Sequence, residues 1–221
     1  MKTFVLHGMG RTPISMLILA GRLRRAGYPV SLFGYSVTVE TLETIARRFL
    51  ERVRQEVEPE QSYAVVGHSL GNVITRLVDP ELPEGFCRFI MLAPPNRLPR
   101  SAHLLRRNPL YRAITRDTGQ QLADPGFYET LPRTRAPSLI LAGTAGPRAD
   151  WLPLGRQPND GVLTVEETSL DGVPRMEIPA LHTWLMNRGD VFRAIRCFLE
   201  QPEGFHGGEP RGGDSIPAAA S

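Results

Sequence analysis

An α/β fold, with a mostly parallel central sheet and helices on both faces, is what this sequence predicts. Apolar, β-branched runs alternate with amphipathic helical stretches, and two of those runs end in glycine-rich turns. With 221 residues, 41% of them hydrophobic, the chain can bury one substantial core. The first run, "KTFVL", stops at His7-Gly8 as a buried parallel strand does. "PISMLILAGRLRRAGY" then reads as a helix, with proline near its start, arginines in its later turns and Gly27 as its stop. "PVSLFGY" gives a second strand. "TLETIARRFLERVRQEVE" gives a second helix, in which Ile45, Phe49, Val53 and Val57 recur every four residues along one face. "SYAVVGHSLGNVITRLVD" follows as strand, turn and helix, and "CRFIMLAPP" as the next strand.

From Asn96 to Pro137 the alternation lapses into an arginine-rich stretch with scattered apolar residues and no good strand, expected to be a helical, cap-like excursion. "PSLILAGTAG" and "GVPRMEIPALH" restore the strand pattern, and "GDVFRAIRCFLE" reads as a closing helix. Beyond about Pro202 the chain is rich in Gly and Pro with little to bury, so residues 202–221 are expected to form a disordered tail behind a folded domain at 1–201.

Composition narrows the function classes. The formal net charge is only +3, and Lys2 is the sole lysine, so the positive charge is arginine scattered among glutamates and not a basic stripe interleaved with aromatics. Nucleic-acid binding is therefore not expected. Cys87 and Cys197 lie in apolar surroundings without metal-ligand spacing, and both read as buried free thiols. No metal site and no cofactor is expected. "MKTFVLHGMG" reads as a strand and not a signal peptide, and no apolar run approaches the roughly 18 residues of a spanning helix, so a cytoplasmic enzyme is the expectation.

The chemistry concentrates in "YAVVGHSLGNVITR". A serine hydroxyl is a poor nucleophile until a base takes its proton and donors hold the resulting oxyanion. Gly67-His68-Ser69-Leu70-Gly71 lies between an apolar strand and a helical run, which is the setting of a nucleophile elbow: Ser69 at a strained turn, Gly67 and Gly71 relieving the crowding. His68 adjoins the serine on too tight a turn to act as its base and is read as a packing residue. "HGMG", directly after the first strand, supplies a second loop: His7 and Gly8 support it, and Met9 and Leu70 each offer a backbone N–H to an oxyanion. Of the histidines after Ser69, His206 falls in the tail and His103 in the excursion. His182 follows the final strand and is the expected base. Asp160, in "QPNDGVLTVEET", sits in a sharp Asn-Asp-Gly turn and is the favoured acid, ahead of Asp150; a hairpin turn accounts for Asp171.

Taken together, "HGMG", "VVGHSLGNV", "PNDGVLTVEET" and "IPALHTWLM" resemble the small bacterial lipases and esterases of the α/β-hydrolase superfamily, in a minimal version that begins at the oxyanion-loop strand. The resemblance spans about residues 1–200. It implies a Ser69–Asp160–His182 triad, Met9 and Leu70 as oxyanion donors, no cofactor, and hydrolysis of carboxylic esters through an acyl-enzyme. The excursion is longer than a minimal lipase requires. Its Leu104, Leu105, Leu110, Tyr111 and Ile114 could line a lid or acyl pocket, with Arg97, Arg100, Arg106, Arg107, Arg112 and Arg116 as a rim toward an anionic lipid interface. A thioesterase, amidase or acyltransferase could use the same three residues, and a silent hydrolase fold could use none of them for chemistry.

Overall fold

The computed structural model describes residues 1–201. Six strands form one wholly parallel sheet in the order β2-β1-β3-β4-β5-β6: β1 (Lys2–Leu6), β2 (Val30–Phe33), β3 (Tyr63–His68), β4 (Phe86–Leu92), β5 (Ser138–Gly143) and β6 (Arg175–Ile178). The central strands are apolar on both sides, as a sheet covered on both faces requires. Period-two alternation then sorts their side chains. Phe4, Leu6, Val65, Phe89 and Ile140 enter one core, against α2 (Leu42–Glu56) and α3 (Leu70–Val78). Val5, Ala64, Val66, Ile90 and Leu141 enter the other, against α1 (Leu17–Arg25) and α7 (Gly189–Leu199).

The predicted excursion is helical: α4 (Arg100–Leu105), α5 (Pro109–Gln121), broken at Arg116, and α6 (Pro125–Thr130). Asn108 and Asp124 cap α5 and α6 by accepting first-turn N–H groups, with proline following each cap. Residues 202–221, read from sequence as a tail, lie outside the described residues. Two other expectations need correction. Asp171 sits in a turn, but β6 pairs with β5 in parallel, so the turn closes a crossover and not a hairpin. Cys197 is exposed and Cys87 half-buried, because the period of α7 turns Val191, Ile195 and Phe198 inward and Cys197 out.

Strand order reverses between β1 and β3: the chain leaves β1 toward β2 on one side and resumes with β3 on the other. Leu6 pairs with Gly67, which brings the loop after β1 alongside the turn after β3 at the carboxyl end of the sheet. In open α/β sheets this switch point is where a crevice forms.

Candidate active site

Ser69 occupies the turn between β3 and α3 with φ 50° and ψ −115°, a region that side-chain-bearing residues rarely adopt. Neighbouring bonds hold the turn there. Ser69 N–H donates to Leu92 O at 2.9 Å, and the Asn72 side-chain amide donates to both Ser69 O (3.0 Å) and Leu92 O (3.2 Å). The strand and helix pass so closely that a Cβ on Gly71 would lie 2.7 Å from Leu6 Cβ, and one on Gly67 would lie 2.9 Å from Asn72 N. Only glycine fits at either place. Asn72, which the sequence offers merely as a helical residue, is thus part of the elbow.

The loop after β1 meets this turn directly: a Cβ on Gly8 would stand 3.2 Å from Ser69 Cβ. His7 is buried and stacked on Tyr35, with ring centroids 4.1 Å apart. Tyr35 N–H donates to His7 Nε2 at 3.3 Å, so the imidazole proton is on Nδ1, from which it donates to Gly8 O at 2.8 Å. Burial lowers the His7 pKa below 6.5, which agrees with this neutral form. All peptide bonds among the described residues are trans, so fixing the Gly8 carbonyl turns the Met9 N–H the opposite way. Leu70 N–H opens the first turn of α3, where helical N–H groups lack intrahelical acceptors and carry partial positive charge.

Asp160 and His182 are brought together from the ends of β5 and β6. His182 Nδ1 lies 2.7 Å from Asp160 Oδ2, and both residues are buried. The other carboxylate oxygen accepts the N–H groups of Val162 (2.9 Å) and Leu163 (2.7 Å), the tight turn that Asn-Asp-Gly favours. His182 N–H in turn donates to Asp160 O at 2.9 Å. The imidazoles of His68 and His182 lie 4.9 Å apart, which sets His182 beside the Ser69 turn. Ser69 is half-buried, and its hydroxyl forms no hydrogen bond to His182 among the described residues. The other candidates lie elsewhere. Asp150 is exposed and paired with Arg156, Asp171 is exposed beside Arg97, and His103 is on α4; His206 lies outside the described residues.

The model of the Alpha/beta hydrolase family matches residues 4–212 of the sequence. The chain belongs to that family. This α/β hydrolase is also similar in structure to a Bacillus licheniformis lipase in its mature form, with TM-score 0.68 and 16% identity over 90% of this chain and 91% of the lipase. A metagenome-derived lipolytic enzyme gives TM-score 0.64 and 17% identity over 90% and 94% of the two chains. A pyrethroid hydrolase from Sphingobium faniae gives 0.57 and 14% over 91% and 98%. At such identities the likeness is one of fold. Among curated proteins, none matches. Among the described residues of the α/β hydrolase, no cluster of three or more His, Cys, Asp or Glu could hold a metal ion, and no helix is long and apolar enough to cross a membrane.

Proposed function

We propose that this α/β hydrolase cleaves carboxylic esters through an acyl-enzyme on Ser69. The observation that carries the reading is the buried 2.7 Å contact between His182 Nδ1 and Asp160 Oδ2, beside a serine held at a strained elbow. Ser69 Oγ attacks the ester carbonyl while His182 Nε2 takes its proton; Asp160 fixes the tautomer that leaves Nε2 free to do so and stabilises the imidazolium. The N–H groups of Met9 and Leu70 hold the oxyanion. His182 then returns the proton to the leaving alcohol, and water repeats the sequence to release the acid. The Ser69–His182 hydrogen bond, absent among the described residues, forms when substrate is bound, as catalytic contacts commonly close only in the substrate complex.

The excursion at 96–137 forms the wall of the acyl site. A cleft of about 250 Å³ lies between Leu104 and Leu105 of α4 and the segment carrying Pro147, Leu152 and Leu154, bounded by Asn159 and Gly161 on either side of Asp160. Its apolar lining suits an acyl chain, which favours an ester with an apolar acid part.

Ser69→Ala should lower hydrolysis of p-nitrophenyl esters by at least about 10⁴-fold. It should also abolish labelling by a fluorophosphonate, which reacts with an activated serine. Hydrolysis by the alanine variant at the parental rate would refute the assignment. A panel from acetyl to palmitoyl esters, run on both forms, reads the acyl preference in the same experiment.

A further inference from the structure

His68 is buried next to Ser69, yet the mechanism above gives it no proton to move. Its Nε2 lies 3.1 Å from the backbone carbonyl of His182. A carbonyl only accepts, so Nε2 carries the proton and Nδ1 is bare. That Nδ1 is buried and has no partner among the described residues; it stands 2.8 Å from where a Cβ on Gly8 would be. A leucine of similar bulk would fill the site with no unpaired nitrogen, so packing alone does not account for an imidazole there. The bond to His182 O does. With His182 N–H held by Asp160 O at 2.9 Å, the main chain of His182 is gripped on both its polar groups.

We infer that His68 is a positioning residue for the base: its Nε2–H fixes the backbone of His182, and its ring spaces the His182 loop from the Gly8 loop. The inference rests on the catalytic reading of Ser69 and His182 for its effect on rate. Its effect on geometry is independent of that reading, because the His182–Asp160 pair exists whatever the serine does. A proton donor to the base's own backbone leaves the imidazole free on its Nε2 side while limiting where its ring can swing, and small displacements of a reacting group carry large rate penalties.

The test compares His68→Gln, whose amide nitrogen can reach the His182 carbonyl, with His68→Leu and His68→Asn, which cannot. The Leu and Asn variants should lose about 10- to 100-fold in kcat for p-nitrophenyl butyrate, with KM within about twofold, and should react with fluorophosphonate more slowly in proportion. The Gln variant should recover to within about fivefold of the parent. In proton NMR, the downfield resonance of the His182 Nδ1 proton shared with Asp160 should stay sharp in parent and Gln forms and broaden or shift in the others. Asn keeps the site polar, so it reads the lost reach even where Leu fails to fold. If Asn and Leu retain the parental labelling rate and resonance, or if folded Gln is as impaired as Asn, His68 is only a packing residue. If the parent itself does not label while the resonance follows the predicted order, the positioning stands and the serine chemistry falls.

Discussion

Asp160 uses its two carboxylate oxygens for different tasks. Oδ1 closes the local turn by accepting from Val162 and Leu163, and Oδ2 faces His182 Nδ1. Asp160→Asn would keep its carbonyl oxygen on the two N–H groups and present its NH₂ to the imidazole. His182 would then have to turn a bare Nδ1 to the amide and hold its proton on Nε2, where it could not receive one from Ser69. The expected result is a fall in kcat of about 10⁴-fold with KM little changed and the fold retained, checked by steady-state kinetics beside a thermal melt. A variant that kept more than about a tenth of the parental kcat would remove Asp160 from the orienting role. At this scale the candidate residues could be picked out from sequence because each carries a local mark: a Gly-X-Ser-X-Gly between strand and helix, an Asn-Asp-Gly turn, a histidine just past a strand; the structure sets Asp160 against His182. What could not be read is the support. The bond from His68 to His182 O joins residues 114 apart, and Asn72 reaches Leu92 across 20, so no local pattern marks either.

Among the elements, α3 does more than cover the sheet. Arg76, buried in its last turn, donates to Leu131 O (3.1 Å), Pro132 O (3.0 Å) and Asn96 Oδ1 (3.1 Å). Burial lowers its pKa to about 10, still far enough above neutrality to leave the guanidinium charged. The two ends of the cap are therefore fastened to the helix that follows Ser69. A second tie runs from Glu167, whose carboxylate accepts the N–H of Thr164 (2.8 Å) and of Arg100 (2.9 Å), joining the segment after Asp160 to the start of α4. Arg76→Met would fill the space but leave three acceptors unpaired, and should cost about 3 kcal/mol in urea unfolding. Limited proteolysis should then cut first between 97 and 130. A variant with parental stability and the same cleavage pattern would show that Arg76 does not anchor the cap. Strands and long helices were foreseeable because hydrophobic period two and period 3.6 report burial directly. The cap was foreseeable only as helical, since three of its four anchored groups, Leu131 O, Pro132 O and the Arg100 N–H, are main-chain groups that nearly any residue supplies. The exposure of Cys197 followed from the phase of α7, which apolar neighbours in sequence do not reveal.

Over the whole molecule, the exposed large apolar side chains are placed unevenly. Among the described residues Ile14, Leu17 and Ile18 fall early in the connection after β1, Val39 after β2, Leu104, Leu105, Leu110 and Ile114 in the helical excursion after β4, Trp151 and Val162 after β5, and Leu181 and Trp184 directly after β6; Met176 lies on β6 itself. Of the cap arginines, Arg97 turns to Glu166 and Asp171, whereas Arg107, Arg112 and Arg116 stay exposed. On the ester hydrolysis proposed above, this distribution suits a substrate whose acid part is apolar and long enough to leave Ser69 and run along the helical excursion. Each methylene buried there is worth about 0.8 kcal/mol, roughly a fourfold gain in kcat/KM per added carbon until the cleft is full. Replacing Leu104, Leu105 and Leu110 together by serine should flatten that dependence, because the added carbons would meet polar surface. Acetyl ester hydrolysis should stay within about twofold of the parent, since chemistry at Ser69 is untouched, while the rate on octanoyl and longer esters should drop by at least about tenfold. These three side chains are exposed, so the substitutions add polarity where water already reaches and spare the core. If the chain-length profile of the triple variant overlaid the parent's, α4 and the start of α5 would have no part in acyl binding, and their apolar face would need another partner.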